Sequence, residues 1–165
     1  MSNLHKLTII TGLCVLIFWG VTTIIKPISI AGDSMYPEYP DGSFHILYKL
    51  QYKFTTPKTG DVVLYNFTTE TNTYEFIGRI AATPNQDIRI ENGTAENQVS
   101  YTLIDTKGNR RKTEFQLRYE EQQTINLKSD QYFLLGDSRD NSIDSRYFGQ
   151  VSADKIVGKI IWRYK

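Results

Sequence analysis

Cysteine is nearly absent from this 165-residue chain: Cys14 stands alone, inside an apolar run. That excludes an internal disulfide and a cysteine-based metal site. An excess of one charge is also missing. Lys+Arg 19 against Asp+Glu 18 gives a net charge of +1, so no nucleic-acid partner has electrostatic support. Histidine occurs only at His5 and His45, and no lysine lies between Lys58 and Lys107. Repeats, low-complexity tracts and interdomain linkers are lacking too, which leaves one compact body beside the N-terminal segment. No metal or other cofactor is expected. What the chain does have is tyrosine, 11 residues of it, a type that favours half-buried strands over helices.

The N-terminal segment reads LTIITGLCVLIFWGVTTII over residues 7–25, without a charge, between Lys6 and Lys26. At about 1.5 Å per residue it spans roughly 28 Å, close to the roughly 30 Å of a bilayer hydrocarbon core. Phe18 and Trp19 would sit towards its outer end. A cleaved signal peptide would have a shorter apolar stretch followed by small residues, whereas Lys26-Pro27 follows here directly. A buried core helix would need a polar face, and none exists. The expectation is therefore a membrane anchor at residues 1–26 and an extracytoplasmic body at residues 27–165. The charge bias that would orient it is slight, with His5, Lys6 and the α-amino group on one side and Lys26 on the other.

After Pro27, short alternating segments and frequent turn signals predict a mainly β, antiparallel domain. Strands are expected at residues 44–48, 61–67, 74–82, 87–91, 100–104, 132–135 and 156–162. Turns are marked by Pro40-Asp41-Gly42, Pro57-Lys58-Thr59-Gly60, Pro84-Asn85, Asn92-Gly93 and Lys107-Gly108-Asn109. Asn92-Gly93 is a two-residue hairpin signal. The polar stretch 113–126 reads as a strand pair or loop, with a helix as the alternative.

Two segments carry chemistry. One is Gly32-Asp33-Ser34-Met35-Tyr36-Pro37, shortly beyond the apolar run and followed by Asp41-Gly42; the other runs GDSRDNSIDSRYFG from Gly136 to Gly149. They resemble the nucleophile box and the last box of type I signal peptidases, whose patterns read roughly GDSMxPT and GDNRxNSxDSRxxG. Thr59-Gly60-Asp61-Val62-Val63 resembles that family's Gly-Asp-hydrophobic strand. Phe76-Ile77-Gly78-Arg79-Ile80 falls where the family has its lysine strand, usually YIKRV. The resemblance covers nearly the whole chain in the right order and is closest to the short Gram-positive form. It implies the signal-peptidase antiparallel β-barrel or sheet behind one transmembrane helix, with Ser34 as nucleophile. A hydroxyl needs a base beside it, and in this family the base is a neutral lysine whose pKa is lowered by burial. Ser142 and Asp144 would orient that amine, Arg79 and Arg146 would pair with Asp137 and Asp144, and Met35 would line the peptide groove.

The departure is at the base. Gly78 occupies the lysine position, and no register slip supplies another lysine. Neither histidine lies in that strand, and the Arg79 guanidinium stays protonated. Nearby, Ala82-Thr83-Pro84-Asn85-Gln86 replaces the family's Gly-Leu-Pro-Gly-Asp turn, Glu38 replaces a threonine and Ser138 an asparagine. General-base catalysis is worth about 10²–10⁴ in rate, and loss of a nucleophile–base partnership up to about 10⁶. At about 1.4 kcal/mol per tenfold, the gap is roughly 3–8 kcal/mol of barrier.

Blander readings stand beside each of these. Ser34 can be a turn serine, Asp144 with Arg146 a structural ion pair, and Asp41 a turn aspartate before Gly42 rather than a binding residue. Gly78 can be a bulge, or can open the floor of a groove in which a peptide adds as a strand against Phe76 and Ile77. Tyr36, Tyr39, Phe44 and Phe76 read more readily as core than as ligand contacts. Three functions follow. The resemblance implies that lysine-less short members assist pilin polymerisation by sortase, binding secreted precursor or pilin peptides. A working signal peptidase with a base from elsewhere is the second reading. An inert anchored protein is the third.

Overall fold

A computed structural model of the chain describes residues 3–89, 98–104, 110–116 and 123–163. Helix α1 (Asn3–Ile24) is apolar all round beyond Lys6, and Leu16, Phe18 and Trp19 are among its exposed side chains. Its threonines do not spoil the apolar surface. Thr8, Thr11, Thr22 and Thr23 return their hydroxyls to carbonyls three or four residues back, at 2.7–3.1 Å. The helix is long and apolar enough to cross a membrane. It ends where β1 (Ile25–Ser29) begins, so Ile25 and Lys26, grouped with the apolar segment in the sequence, belong to the first strand.

The body is built on β2 (Phe44–Tyr48), a short helix α2 (Gln51–Phe54), β3 (Val62–Thr68), β4 (Thr73–Ala82) and β5 (Asp87–Arg89). These are followed by β6 (Gln98–Ile104), β7 (Arg110–Gln116), β8 (Thr124–Asn126), β9 (Gln131–Leu135), helix α3 (Ser145–Phe148), β10 (Val151–Ser152) and β11 (Ile156–Arg163). Seven strands form one antiparallel sheet in the order β1-β2-β11-β3-β4-β9-β10. Pro27 is tolerated because β1 lies at the sheet edge, where a missing N–H leaves no ladder broken on the outer side. The last strand enters the middle, between β2 and β3, so the two ends of the body are sewn together.

Strand β3 shows why the sequence reads as a continuous apolar run. Val62 and Leu64 join a core with Ile30, Met35, Tyr39, Leu47 and Ile160, while Val63 and Tyr65 join a second with Ile80, Tyr132 and Leu134. Both faces of the strand are covered, so alternation between polar and apolar disappears. Each such side chain contributes roughly 1.5–3 kcal/mol by leaving water.

The expected strands at 44–48, 61–67, 74–82, 132–135 and 156–162 are present, displaced by one residue at most. The 100–104 strand begins earlier, at Gln98. Strand β5 holds residues 87–89 of the expected 87–91; the rest, and the Asn92-Gly93 and Lys107-Gly108-Asn109 turns, lie outside the described residues. The stretch 113–126 needs one correction. Its strands β7 and β8 do not pair with each other: β7 pairs with β6, and β8 pairs with β5 across a long sequence separation. The reason is that Ile125 and Leu127 pack with Ala82, Phe133 and Leu135, an apolar contact invisible to local pattern. Strands β1 and β10 have no counterpart among the expected strands: β1 is interrupted by Pro27, and β10 has two residues, too few to carry a period.

Candidate active site

Ser34 lies in the loop joining β1 to β2. Backbone bonds from Ile30 to Ser43 (3.0 Å) and from Gly42 to Ile30 (2.9 Å) close the loop at its base. The Asp41 carboxylate accepts the Gly32 N–H at 2.7 Å, so this residue closes the loop from within. Met35 and Tyr39 turn inward to the first core, with Met35 fully buried, which leaves the half-buried Ser34 at the rim. Its carbonyl accepts the Ser138 N–H at 3.0 Å, and this bond joins the first motif to the second.

The second motif wraps around one carboxylate. Asp144, 1% exposed, accepts Ser142 Oγ at 2.8 Å, the Gly136 N–H at 3.0 Å and the Arg146 N–H at 3.1 Å. Arg146 adds a fork, Nε to Oδ1 at 2.9 Å and Nη2 to Oδ2 at 3.0 Å. Asp144 thereby caps α3, and the buried charge pair is hydrogen-bonded as such pairs must be. Burial works against the Arg146 charge, but the Asp144 carboxylate outweighs it and holds the guanidinium pKa above its ordinary value. Gly136 is required by close approach: a Cβ there would strike Ser142 Oγ and stand 2.6 Å from the Ser34 carbonyl oxygen.

A second fork lies on the other side. Arg79 donates Nε to Asp137 Oδ1 at 2.8 Å and Nη2 to Asp137 Oδ2 at 2.7 Å, while Nη1 reaches the Gly60 carbonyl at 2.9 Å. Glu38 also accepts Nη2, at 2.7 Å, so the threonine-to-glutamate departure puts a second carboxylate on Arg79. The two expected pairs, Arg79–Asp137 and Arg146–Asp144, are thus both formed.

Gly78 sits on β4 opposite Val63, buried. Its neighbours divide between faces: Phe76 packs beside Tyr65 at 6.0 Å between ring centres, whereas Ile77 packs against the Met35 core. Strand β9 pairs with β4 from Arg79 to Ala82, and not along Thr73 to Gly78. Among the described residues none hydrogen-bonds the Ser34 hydroxyl. His45 is buried beneath the Tyr39 ring, with Nε2 2.8 Å from Ser43 Oγ, and the Lys159 amine is 2.6 Å from Asp61 Oδ1.

Sequence reasoning missed Tyr65. It is buried, and its hydroxyl has no partner among the described residues. Burial, and then the Asp144 charge, push its pKa well above the ordinary value, so it stays a neutral phenol. The signal was the strand register, which sets Tyr65 two residues from Val63 on the face that Gly78 shares.

A loop serine is thus tied through its carbonyl to the segment that carries a buried Ser–Asp–Arg cluster, beside an antiparallel β sheet. Residues 3–165 match the family described as signal peptidase, peptidase S26, and the chain belongs to that family. It is 29% identical over 154 residues to signal peptidase IB of Staphylococcus aureus, covering 86% of this chain and 78% of that one. It is 27% identical over 150 residues to a protein of Synechocystis sp. named "Probable signal peptidase I-2", covering 88% of this chain but only 66% of the relative. A crystal structure of a signal peptidase I from Enterococcus faecalis aligns with 20% identity and a TM-score of 0.42, over 65% of this chain and 98% of that one.

Proposed function

We propose that the chain is a membrane-anchored signal-peptidase-like protein that binds extended secreted precursor peptides without cleaving them by Ser/Lys chemistry. The observation that carries this is a glycine at position 78, where the family resemblance implies the base, together with a Ser34 hydroxyl that no described residue hydrogen-bonds. Glycine cannot accept a proton, and Tyr65, the polar side chain nearest to it, is held protonated. The missing base leaves roughly 3–8 kcal/mol of barrier uncompensated, too much for a dedicated processing enzyme. Helix α1 would anchor the body at the membrane, with the body on the extracellular side. A peptide would add as a strand between the Ser34 loop and the part of β4 that β9 leaves unpaired. Assistance in pilin assembly beside a sortase is the role we assign to such capture.

The retained Ser34, Ser142 and Asp144 favour a second reading, an active signal peptidase, as do the names of the relatives. One experiment separates them. Detergent-extracted full chain is given a signal-peptide substrate, and cleavage and crosslinked capture are followed in wild type and Ser34→Ala. Capture without Ser34-dependent cleavage supports the proposal. Turnover lost on Ser34→Ala overturns it.

A further inference from the structure

Helix α2 is pinned on one side and open on the other. Tyr52 turns inward, packing against the Val63 core and donating its hydroxyl to Asp61 at 3.0 Å. Phe54 is 78% exposed, more than Phe18 in the apolar helix at 72%. With Tyr52, Lys53, Thr55, Thr56 and Lys58 it lines an open recess of about 590 Å³. Residues 42–60 hold Lys49, Lys53 and Lys58 and no aspartate or glutamate, in a chain whose net charge is +1. Among the described residues none of these three amines forms an ion pair. The place of α2 matters as much as its make-up. The Lys49 N–H donates to the carbonyl of Ile24, the last residue of α1, at 2.9 Å, and Tyr48 stands opposite Ile25. Phe54 follows shortly after Lys49 on a mostly helical path, so it lies on the order of 10 Å from the point where α1 ends. The headgroup layer on each side of a bilayer's hydrocarbon is about 5–8 Å deep, so this turn is within its reach.

We propose that the α2 turn is a contact for anionic phospholipid: Phe54 enters the boundary between headgroups and acyl chains, and Lys49, Lys53 and Lys58 reach the phosphates around it. The inference goes beyond peptide capture and rests on α1 being the anchor. A lysine stem lies along apolar surface while its amine stays among the phosphates, so ring and amines are served at one depth. Each lysine close to an anionic surface biases the equilibrium towards contact about fivefold. A second attachment beside α1 fixes the tilt of the body on the membrane, and with it the direction in which the Ser34 loop faces. One chain connection at Ile24 does not fix that tilt by itself.

The test uses the full chain with Cys14→Ala, carrying a fluorophore on Phe54→Cys, in vesicles whose lipids bear a spin-label quencher high on the acyl chain. The vesicles are phosphatidylcholine alone or mixed with phosphatidylglycerol. The control label is on Ser129→Cys, exposed ahead of β9, a strand four places from β2 in the sheet and so about 19 Å across it. Quenching at position 54 should exceed that at 129 by about threefold or more, rise with phosphatidylglycerol and weaken with salt. Lys53→Gln with Lys58→Gln should remove most of that rise, a loss of about 25-fold in the contact equilibrium. Equal quenching at the two positions, or the same lipid dependence in the lysine variant, overturns the inference. So does a disulfide between two unlabelled Phe54→Cys chains in place of quenching, which would make this face a contact between copies. Chain that alkaline carbonate washes from the vesicles overturns the anchor reading itself, whereas chain that stays with position 54 unquenched overturns the α2 contact alone.

Discussion

Asp144→Ala should be among the most damaging single substitutions in the body, and the structure says by how much. The carboxylate is 1% exposed and accepts hydrogen bonds from Ser142, Gly136 and three nitrogens of Arg146. Removing it strands the Arg146 guanidinium, whose side chain is only 9% exposed. An uncompensated buried charge of this kind costs about 3–5 kcal/mol, and the individual bonds cannot be added on top because they share one acceptor. At about 2–4 °C per kcal/mol for a chain of this size, Tm falls by roughly 6–20 °C. The measurement is thermal or urea unfolding of the full chain in detergent. Replacing both partners by apolar residues of similar volume, Asp144→Leu with Arg146→Met, should recover much of the loss, since no charge is then left buried. Less than about 1 kcal/mol lost on Asp144→Ala would refute this reasoning, as would a double variant no better than the single one.

Two further outcomes are expected. Gly136→Ala forces a Cβ against Ser142 and to within 2.6 Å of the Ser34 carbonyl, so the two motifs must part. Stability should fall by about 1–3 kcal/mol, with loss of peptide capture in the crosslinking assay, and a variant as stable as wild type would contradict the close approach. Asp61 provides a pH dependence. Burial disfavours its charge, but the Lys159 amine, the Lys58 N–H and the Tyr52 hydroxyl outweigh that and lower its pKa. A depressed carboxylate stabilises the fold above its unfolded value of about 4, and this is lost as pH falls through the lower folded value. Asp61→Asn should therefore lower stability at neutral pH and flatten the acid side of the urea-midpoint curve. An unchanged slope below about pH 4 would count against the assignment.

Strands with a local signal of their own are legible in the sequence. Residues 44–48, 61–67 and 74–82 read as strands from their β-branched and aromatic runs between turn signals, which are local properties of the sequence. The serine loop and the Gly136–Gly149 segment were legible as well, since their chemistry needs particular residue types at fixed spacing. Partners were less so. Nothing local says that β8 pairs with β5, or that β11 enters between β2 and β3.

The amino-acid sequence by itself determined the apolar N-terminal helix, the antiparallel body, the serine and the missing lysine, because each is written in residue identity or short period. Only the tertiary structure decided which side chains surround Gly78. Tyr65 and Gly78 are 13 residues apart in the chain, and they meet because antiparallel pairing of β3 with β4 sets Val63 opposite Gly78. Likewise Glu38 reaches Arg79 across 41 positions, a contact made by folding and by no pattern in the chain.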